Sequence, residues 1–496
     1  MCQVNRLRNN MAKYEVKDGV GIIPEGTTII EKYAFQDCTD MTSVTIPDTV
    51  TTIDSYAFFG CTGLTSLVIP SSVKGLGKKI FNGCTGLTSV TIPPNWKLIA
   101  EELFADCTSL KNITIPSTLK KIDKCAFKGC TGLTSFTFPD SLEEIHDRAF
   151  LNCVGLTSIT IPASTKYIDK LSYNGGEQPF AGCSNLESII VADGNKQYDS
   201  RDNCNAIIET ANNSLIAGCK NTIIPTSVTS IEDFAFAGCE ELKELTIPNS
   251  VTKIGKGAFA GCKSLISITI PNSVERIFDF IFWNCPTLTH VTIPASVGVI
   301  YTDVRPLFGH CKALECVVVD ENNTTYDSRD NCNAIIETET NTLIAGCPST
   351  IIPESVIKIG IYSFSCCTGL KGITIPDSVT EIEKFAFDYC RDLESVTIPV
   401  SVTNIGYGAF NNCPALKSVS ILGPVKKLES TFSNCEALET VTLGAGIKTI
   451  DSAFFMCPAL KVINVPAKKA DYYKKRLPEE LHHLIVELPP VKKAKK

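Results

Sequence analysis

Cys38, Cys61, Cys84, Cys107, Cys130 and Cys153 stand 23 residues apart, and the interval returns at Cys239, Cys262 and Cys285 and at Cys367, Cys390 and Cys413. A fixed period of this size constrains the fold more than length does. One such repeat cannot bury its apolar face alone, so neighbouring units must stack into a solenoid. That overrides the roughly three globular domains that 496 residues would otherwise suggest. Sixteen cysteines anchor the count, from Cys38 to Cys457, and each has a phenylalanine three residues before it, from Phe35 to Phe454. Sixteen of the 24 phenylalanines are thus spent on one internal row.

Each unit mixes two patterns. Val44-Thr45-Ile46 and Val90-Thr91-Ile92 alternate apolar and polar residues, which is the signature of a half-buried strand. The proline that follows lacks a backbone donor and ends the ladder. The second half, such as Ile53 to Phe58, is too short for a stable helix and reads as a short strand, turn or 3₁₀ segment. Two larger units break the count. Cys183 to Cys239 and Cys311 to Cys367 each span 56 residues. They carry nearly the same segment, Tyr198 to Thr210 and Tyr326 to Thr338, offset by 128 residues. Asn212-Asn213 and Thr340-Asn341 lie between apolar runs and predict a β-hairpin in each, expected to protrude. The chain then holds about 18 coils. Residues 1–24 read as a leader and the start of a cap, 25–465 as the solenoid, with inserts near 193–220 and 321–348, and 466–496 as a helical cap and basic tail.

These residues carry a resemblance. Leu-x-x-Ile/Val-Thr-Ile-Pro-x-Ser-Val, followed by Ala-Phe-x-x-Cys, resembles the BspA-like, or Treponema-type, leucine-rich repeat, and the tyrosine-led inserts resemble a gut Bacteroidetes variant. The resemblance implies a β-rich leucine-rich-repeat solenoid with a parallel sheet on the concave face and short strand or 3₁₀ segments on the convex face. It also implies a surface adhesin that binds host matrix proteins or other bacteria. The sequence from Met1 to Asn10 is positively charged but lacks a following apolar stretch, so no cleaved signal is expected whether the start is Met1 or Met11. That points to the cytoplasm, with the cell surface as the alternative from the resemblance.

Chemistry finds little support. The five histidines are scattered: His146, His290 and His310 in three coils and the pair His482-His483 near the end. No nucleophile motif, paired carboxylates, P-loop or dinucleotide turn occurs, so no enzyme activity, cofactor or catalytic residue is expected. One cysteine per coil in fixed register reads as a ladder of free, buried thiols, with pairing open only for Cys204/Cys219 and Cys332/Cys347. No metal site is expected. A net charge of −7 disfavours nucleic acid, and no apolar run is long enough for membrane insertion.

The outward strand positions are mostly Ser, as at Ser66 and Ser89, and Thr, as at Thr91 and Thr114, giving a hydroxyl-lined face. His290, Cys316 and Val318 break those rows, so the coils from His290 to Val318 are the first candidate site. The hairpins add Tyr198, Arg201 and Asp202 and their copies Tyr326, Arg329 and Asp330, since loops on a rigid scaffold often carry function. The expected role is a non-enzymatic scaffold that binds another macromolecule, a protein first and a glycan second. A structural or surface-layer component without a specific ligand is the alternative.

Overall fold

The computed structural model describes residues 14–170, 178–302 and 304–489; the leader Met1 to Asn10 and the tail Lys492 to Lys496 lie outside them. The chain forms two compact units, Met1–Cys262 and Lys263–Lys496. Both are β-solenoids whose coils contribute to three parallel rows.

In the first unit, the first row is the expected strand. Ser66–Val68, Ser89–Thr91 and Asn112–Thr114 pair in parallel, with Leu67, Val90 and Ile113 in register. Leu64, Leu67 and Ile69 are buried while Thr65, Ser66 and Val68 face solvent. The second row settles the ambiguous half-unit as a two-residue parallel strand. Lys121–Ile122 pairs with Leu98–Ile99 on one side and Glu144–Ile145 on the other, and the three isoleucines are fully buried.

The third row holds the Phe and Cys of every repeat. Phe35 N–H donates to the Ala57 carbonyl of the next coil (2.7 Å), and Phe104 to Ala126 (2.9 Å). The rings stack from coil to coil: Phe58 on Phe81 at 5.3 Å, Phe81 on Phe104 at 5.7 Å. Most of the cysteine thiols then donate back to the phenylalanine carbonyl of the preceding coil, whereas Cys239 donates to Gly218 O. Cys61 reaches Phe35 O at 3.0 Å, Cys107 reaches Phe81 O at 3.2 Å and Cys130 reaches Phe104 O at 3.1 Å. A donating thiol must stay protonated, and burial ensures it, pushing Cys183 up to about 12. Cysteine is therefore not merely a small apolar filler: its weak donor closes a carbonyl that a Val or Ala would leave open.

Cys204, Cys219, Cys332 and Cys347 are all free thiols. The all-free ladder needs one correction, since Cys38 is disulfide-bonded.

Between Phe and Cys the chain turns through a left-handed residue, as at Gly60 (φ 68°), Gly129 (φ 72°) and Asn152 (φ 58°). Residue types that tolerate this conformation recur there for that reason.

The second unit repeats the plan. Ser395–Ile398, Ser418–Ile421, Thr440–Thr442 and Val462–Val465 form the first row. Phe387 lies between Phe364 (4.9 Å, 2° between planes) and Phe410 (4.8 Å, 4°). Cys390 and Cys413 donate to Phe364 O and Phe387 O at 3.1 and 3.2 Å.

The ends are closed differently. The first unit opens with an antiparallel hairpin, Glu15–Lys17 with Val20–Ile22, turning at Asp18 (φ 52°) and Gly19 (φ 78°). Its second strand pairs with Ser43–Val44 and so begins the first row. At the far end of the second unit the helix is short, Ala470–Lys474, and a strand, Ile485–Glu487, seals the sheet edge by pairing with Val462–Val465. The cap is thus as much strand as helix, pinned by the buried Tyr473, whose hydroxyl donates to Gly444 O. Among the described residues no helix is long and apolar enough to cross a membrane.

Phe387→Ala removes a ring that is fully buried between two others, and is expected to destabilise the second unit by about 3–5 kcal/mol. Because coils couple only to their neighbours, calorimetry should also show unfolding split into two transitions. A melting curve like that of the wild type would contradict the ladder.

Candidate functional site

The outward side of the first row presents exposed side chains in each unit. In the second unit, His290 sits on the strand His290–Ile293, between Ser267 and Cys316, and is exposed. Its Nδ1 lies 2.9 Å from Thr289 Oγ1. Val318 follows on the adjacent strand, Cys316–Val319, directly beside Thr292. The structure therefore brings His290 and Val318 onto one face.

Val318 has a companion that sequence reading overlooks. The next coil, joined by the bond from Ser349 Oγ to Glu315 O (2.6 Å), presents Ile351, which is 74% exposed. The first unit carries the same arrangement. Ile190 stands beside Thr160, and the following coil, held by Lys220 to Glu187 (2.9 Å), presents Ile223 at 73% exposure. Each unit thus has an apolar window in a hydroxyl row. The signal was available: Ile190, Ile223 and Ile351 occupy the slot where other coils place Thr.

The hairpin residues have a different fate. The hairpins were expected to protrude. Instead Ala206–Glu209 and Ser214–Gly218 lie in the wall, the second strand pairing in parallel with Ser230–Ile231. Tyr198 is 3% exposed and Tyr326 4%. In the first unit the second row stops at Tyr167–Ile168, leaving the Ile168 N–H without a strand to meet. Tyr198 supplies the acceptor, its hydroxyl taking that N–H at 2.9 Å. In the second unit Tyr326 does the same for Ile300 N–H at 3.0 Å.

Arg201 is equally committed. It grips the Asp199 carboxylate through Nε and Nη2 (2.8 and 2.7 Å) and Asn213 through Nη1 (2.8 Å). Arg329 repeats this on Asp327 and Asn341. Asn195 Nδ2 donates to two carbonyls while its Oδ1 accepts from Gln197 N and Tyr198 N, and Asn323 matches it. The duplicated segment is a polar clasp that satisfies the backbone where a strand row ends. Glycine completes it: a Cβ on Gly218 would lie 2.2 Å from the Phe236 ring, and one on Gly346 the same distance from Phe364.

Charge flanks the apolar window of the second unit. Lys371, Glu394, Lys417, Glu439 and Lys461 occupy one row, shown by the backbone bonds from each residue's N–H to the preceding one's carbonyl (2.8–2.9 Å). Lys417 pairs with Glu394 at 2.8 Å and Lys461 with Glu439 at 2.9 Å. The hydrogen bond from Lys417 lowers the Glu394 carboxyl below its ordinary value. Among the described residues no group of three or more His, Cys, Asp or Glu is placed to hold a metal.

A family model described as "BspA type Leucine rich repeat region (6 copies)" matches residues 21–121, 97–212, 216–334 and 344–461. The fold is similar to that of a leucine-rich repeat protein from Eubacterium ventriosum, at 25% identity over 65% of this chain and 73% of that one, with a TM-score of 0.44. It is also similar to a leucine rich cell surface protein from Faecalibacterium prausnitzii (24% identity, 97% and 95% of the two chains, TM-score 0.38). The pneumococcal vaccine antigen PcpA shows 17% identity over 97% of each chain, with a TM-score of 0.41. No curated protein matches the sequence.

Tyr198→Phe leaves the Ile168 N–H buried and unpaired, and should cost about 1–3 kcal/mol. Tyr326→Phe should cost the same within error, because the geometry is duplicated. Unequal losses measured in denaturant titrations would break the equivalence of the two clasps. For the charge row, Glu394→Lys combined with Glu439→Lys aligns five lysines. The melting temperature should fall at low ionic strength and recover in high salt, as screening removes the repulsion. No change at low salt would show that the row has no energetic role.

Proposed function

This chain belongs to the BspA-type leucine-rich repeat family, and on that premise we propose that it is a non-enzymatic scaffold that binds another protein along its first row, at the cell surface. The observation that carries the reading is the apolar window of each unit, Ile190 with Ile223 and Val318 with Ile351, exposed in rows lined mostly by hydroxyls and paired charges. Burying a branched side chain of this size contributes about 1.5–3 kcal/mol. An apolar centre ringed by Ser, Thr and paired charges has the anatomy of a protein interface. The strands are held in parallel ladders before any ligand arrives, so binding loses little to ordering. A glycan on the same face is less well supported, because no aromatic ring stands among the exposed positions of the windows for a sugar to stack on.

The family reading favours the cell surface, which protease shaving of intact native cells would test. For binding, the full chain would be passed over a panel of immobilised extracellular-matrix proteins. Ile223→Thr with Ile351→Thr restores the residue that other coils carry. The double variant should keep its melting temperature and lose at least about tenfold in affinity for any matrix protein the wild type binds, or roughly 1.4 kcal/mol. Equal binding by the variant, or no binding to the panel, would remove the windows as a protein site.

A further inference from the structure

A second surface feature of the Lys263–Lys496 unit lies on the third row, away from the strands discussed above. The coil from Cys285 to Cys311 is 26 residues long, where 23 is the rule, and it leaves Val304 and Arg305 exposed. The hairpin coil does not reach this row, so the ladder steps straight from His310 N–H to Cys366 O (2.8 Å). Side chains from sequence positions 56 residues apart thereby meet around a hollow of about 410 Å³. That is the scale of a small-ligand site, not of a protein interface.

The lining is chemically distinctive. Trp283 forms one wall, edge-on to His310 at 4.8 Å. Its position depends on Gly309, where a Cβ would lie 2.4 Å from the indole. Tyr362 and Phe385, stacked at 5.3 Å, form the opposite wall, and Tyr389 is 41% exposed at the rim. Arg305 lies over the Phe280 and Trp283 rings at 5.0 and 5.5 Å. Such stacking fixes the guanidinium plane and leaves its edge donors free. Arg391 stands exposed on the other side. No ion pair of either arginine is found among the described residues, and both line the same hollow. Asp388 adds a half-buried carboxylate, held by Asn412 Nδ2 at 3.2 Å.

Aromatic faces suit the C–H face of a sugar ring, a carboxylate accepts from ring hydroxyls, and two arginines without an ion pair among the described residues suit an anion. An acidic peptide side chain could also engage the arginines, but the aromatic walls together with the Asp388 carboxylate match both the C–H face and the hydroxyls of a sugar ring. We propose that the hollow bounded by Trp283, Tyr362, Arg305, Arg391 and Asp388 binds a hexuronate unit of an acidic glycan.

The intact chain reports on this directly, because Trp96, the other tryptophan, is only 5% exposed and its Nε1 donates to Val73 O (2.9 Å). A change in indole fluorescence on ligand addition therefore reads Trp283. The probes are a trigalacturonate, the neutral trisaccharide maltotriose, and a short acidic peptide containing tyrosine, with isothermal calorimetry as a second measurement. The expected result is a saturable response to the uronate, at least about tenfold weaker for maltotriose, and at least about tenfold weaker for uronate in Arg391→Gln, a surface substitution whose melting temperature should match the wild type. Loss of the response in Trp283→Phe, with calorimetric binding retained, would confirm where the signal arises. Equal binding of the neutral sugar would overturn the recognition of the acid. Preference for the peptide would overturn the glycan. Absence of a uronate response by both methods would overturn the site.

Discussion

Everything in this fold hangs on one contact between neighbouring coils. In the regular repeats the phenylalanine gives its N–H to the coil ahead, and its carbonyl receives the thiol of that same coil, as Phe35 does with Ala57 and Cys61. A ring stack lies beside these bonds, with Phe364, Phe387 and Phe410 nearly parallel. The contact combines apolar burial, ring stacking and complete use of the backbone polar groups. It also fixes spacing, because one coil can follow another only at the height where thiol and carbonyl meet. The two strand rows then fall into register without needing long strands of their own, and two residues suffice for the second row.

That economy makes interruptions costly. When a coil departs from the repeat, the rows beside it lose their partner strand, and buried backbone groups must be satisfied by side chains. The tyrosine clasp is the answer used in both units, with Tyr198 and Tyr326 accepting the orphaned N–H groups of Ile168 and Ile300. The sequence identity of the two segments therefore reflects a demanding local geometry. The same interruption also shapes the surface. It sets Ile223 in the coil after Ile190 in the first unit and Ile351 in the coil after Val318 in the second, where it also joins His310 to Cys366. Departures from the repeat, not the repeat, generate the candidate binding places proposed above.

Seen this way, the scaffold and its sites have separate determinants. The inward residues of each coil are fixed by stacking, which leaves the outward ones free to vary. Most stay Ser or Thr, which keep the sheet soluble and fit its pleat. The alternating lysines and glutamates add a weak but directional term: a shift by one coil would set like charges side by side. The apolar windows and the aromatic hollow are the exceptions on surfaces where nothing structural requires them.

Much of this was legible in the sequence, because a solenoid is nearly one-dimensional and its contacts repeat at a fixed interval. The period gave the coils, the Phe–Cys row gave the core, the Leu-x-x-Val-Thr-Ile alternation gave the first sheet, and the spacing placed Lys371 to Lys461 in one line. The second row was not settled, since a two-residue strand has too little pattern to tell it from a turn. Tyr198, Arg201, Tyr326 and Arg329 read as exposed loop residues, because a sequence shows a hairpin but not that it folds into the wall. His290 and Val318 were found where a regular row breaks. Trp283, Arg305, Tyr362 and Arg391 were not, because they come from separate coils and meet only where a hairpin coil drops out of one row. Contacts at the repeat interval were written in the chain; contacts made across a missing coil depended on three-dimensional stacking, which no local spacing encodes.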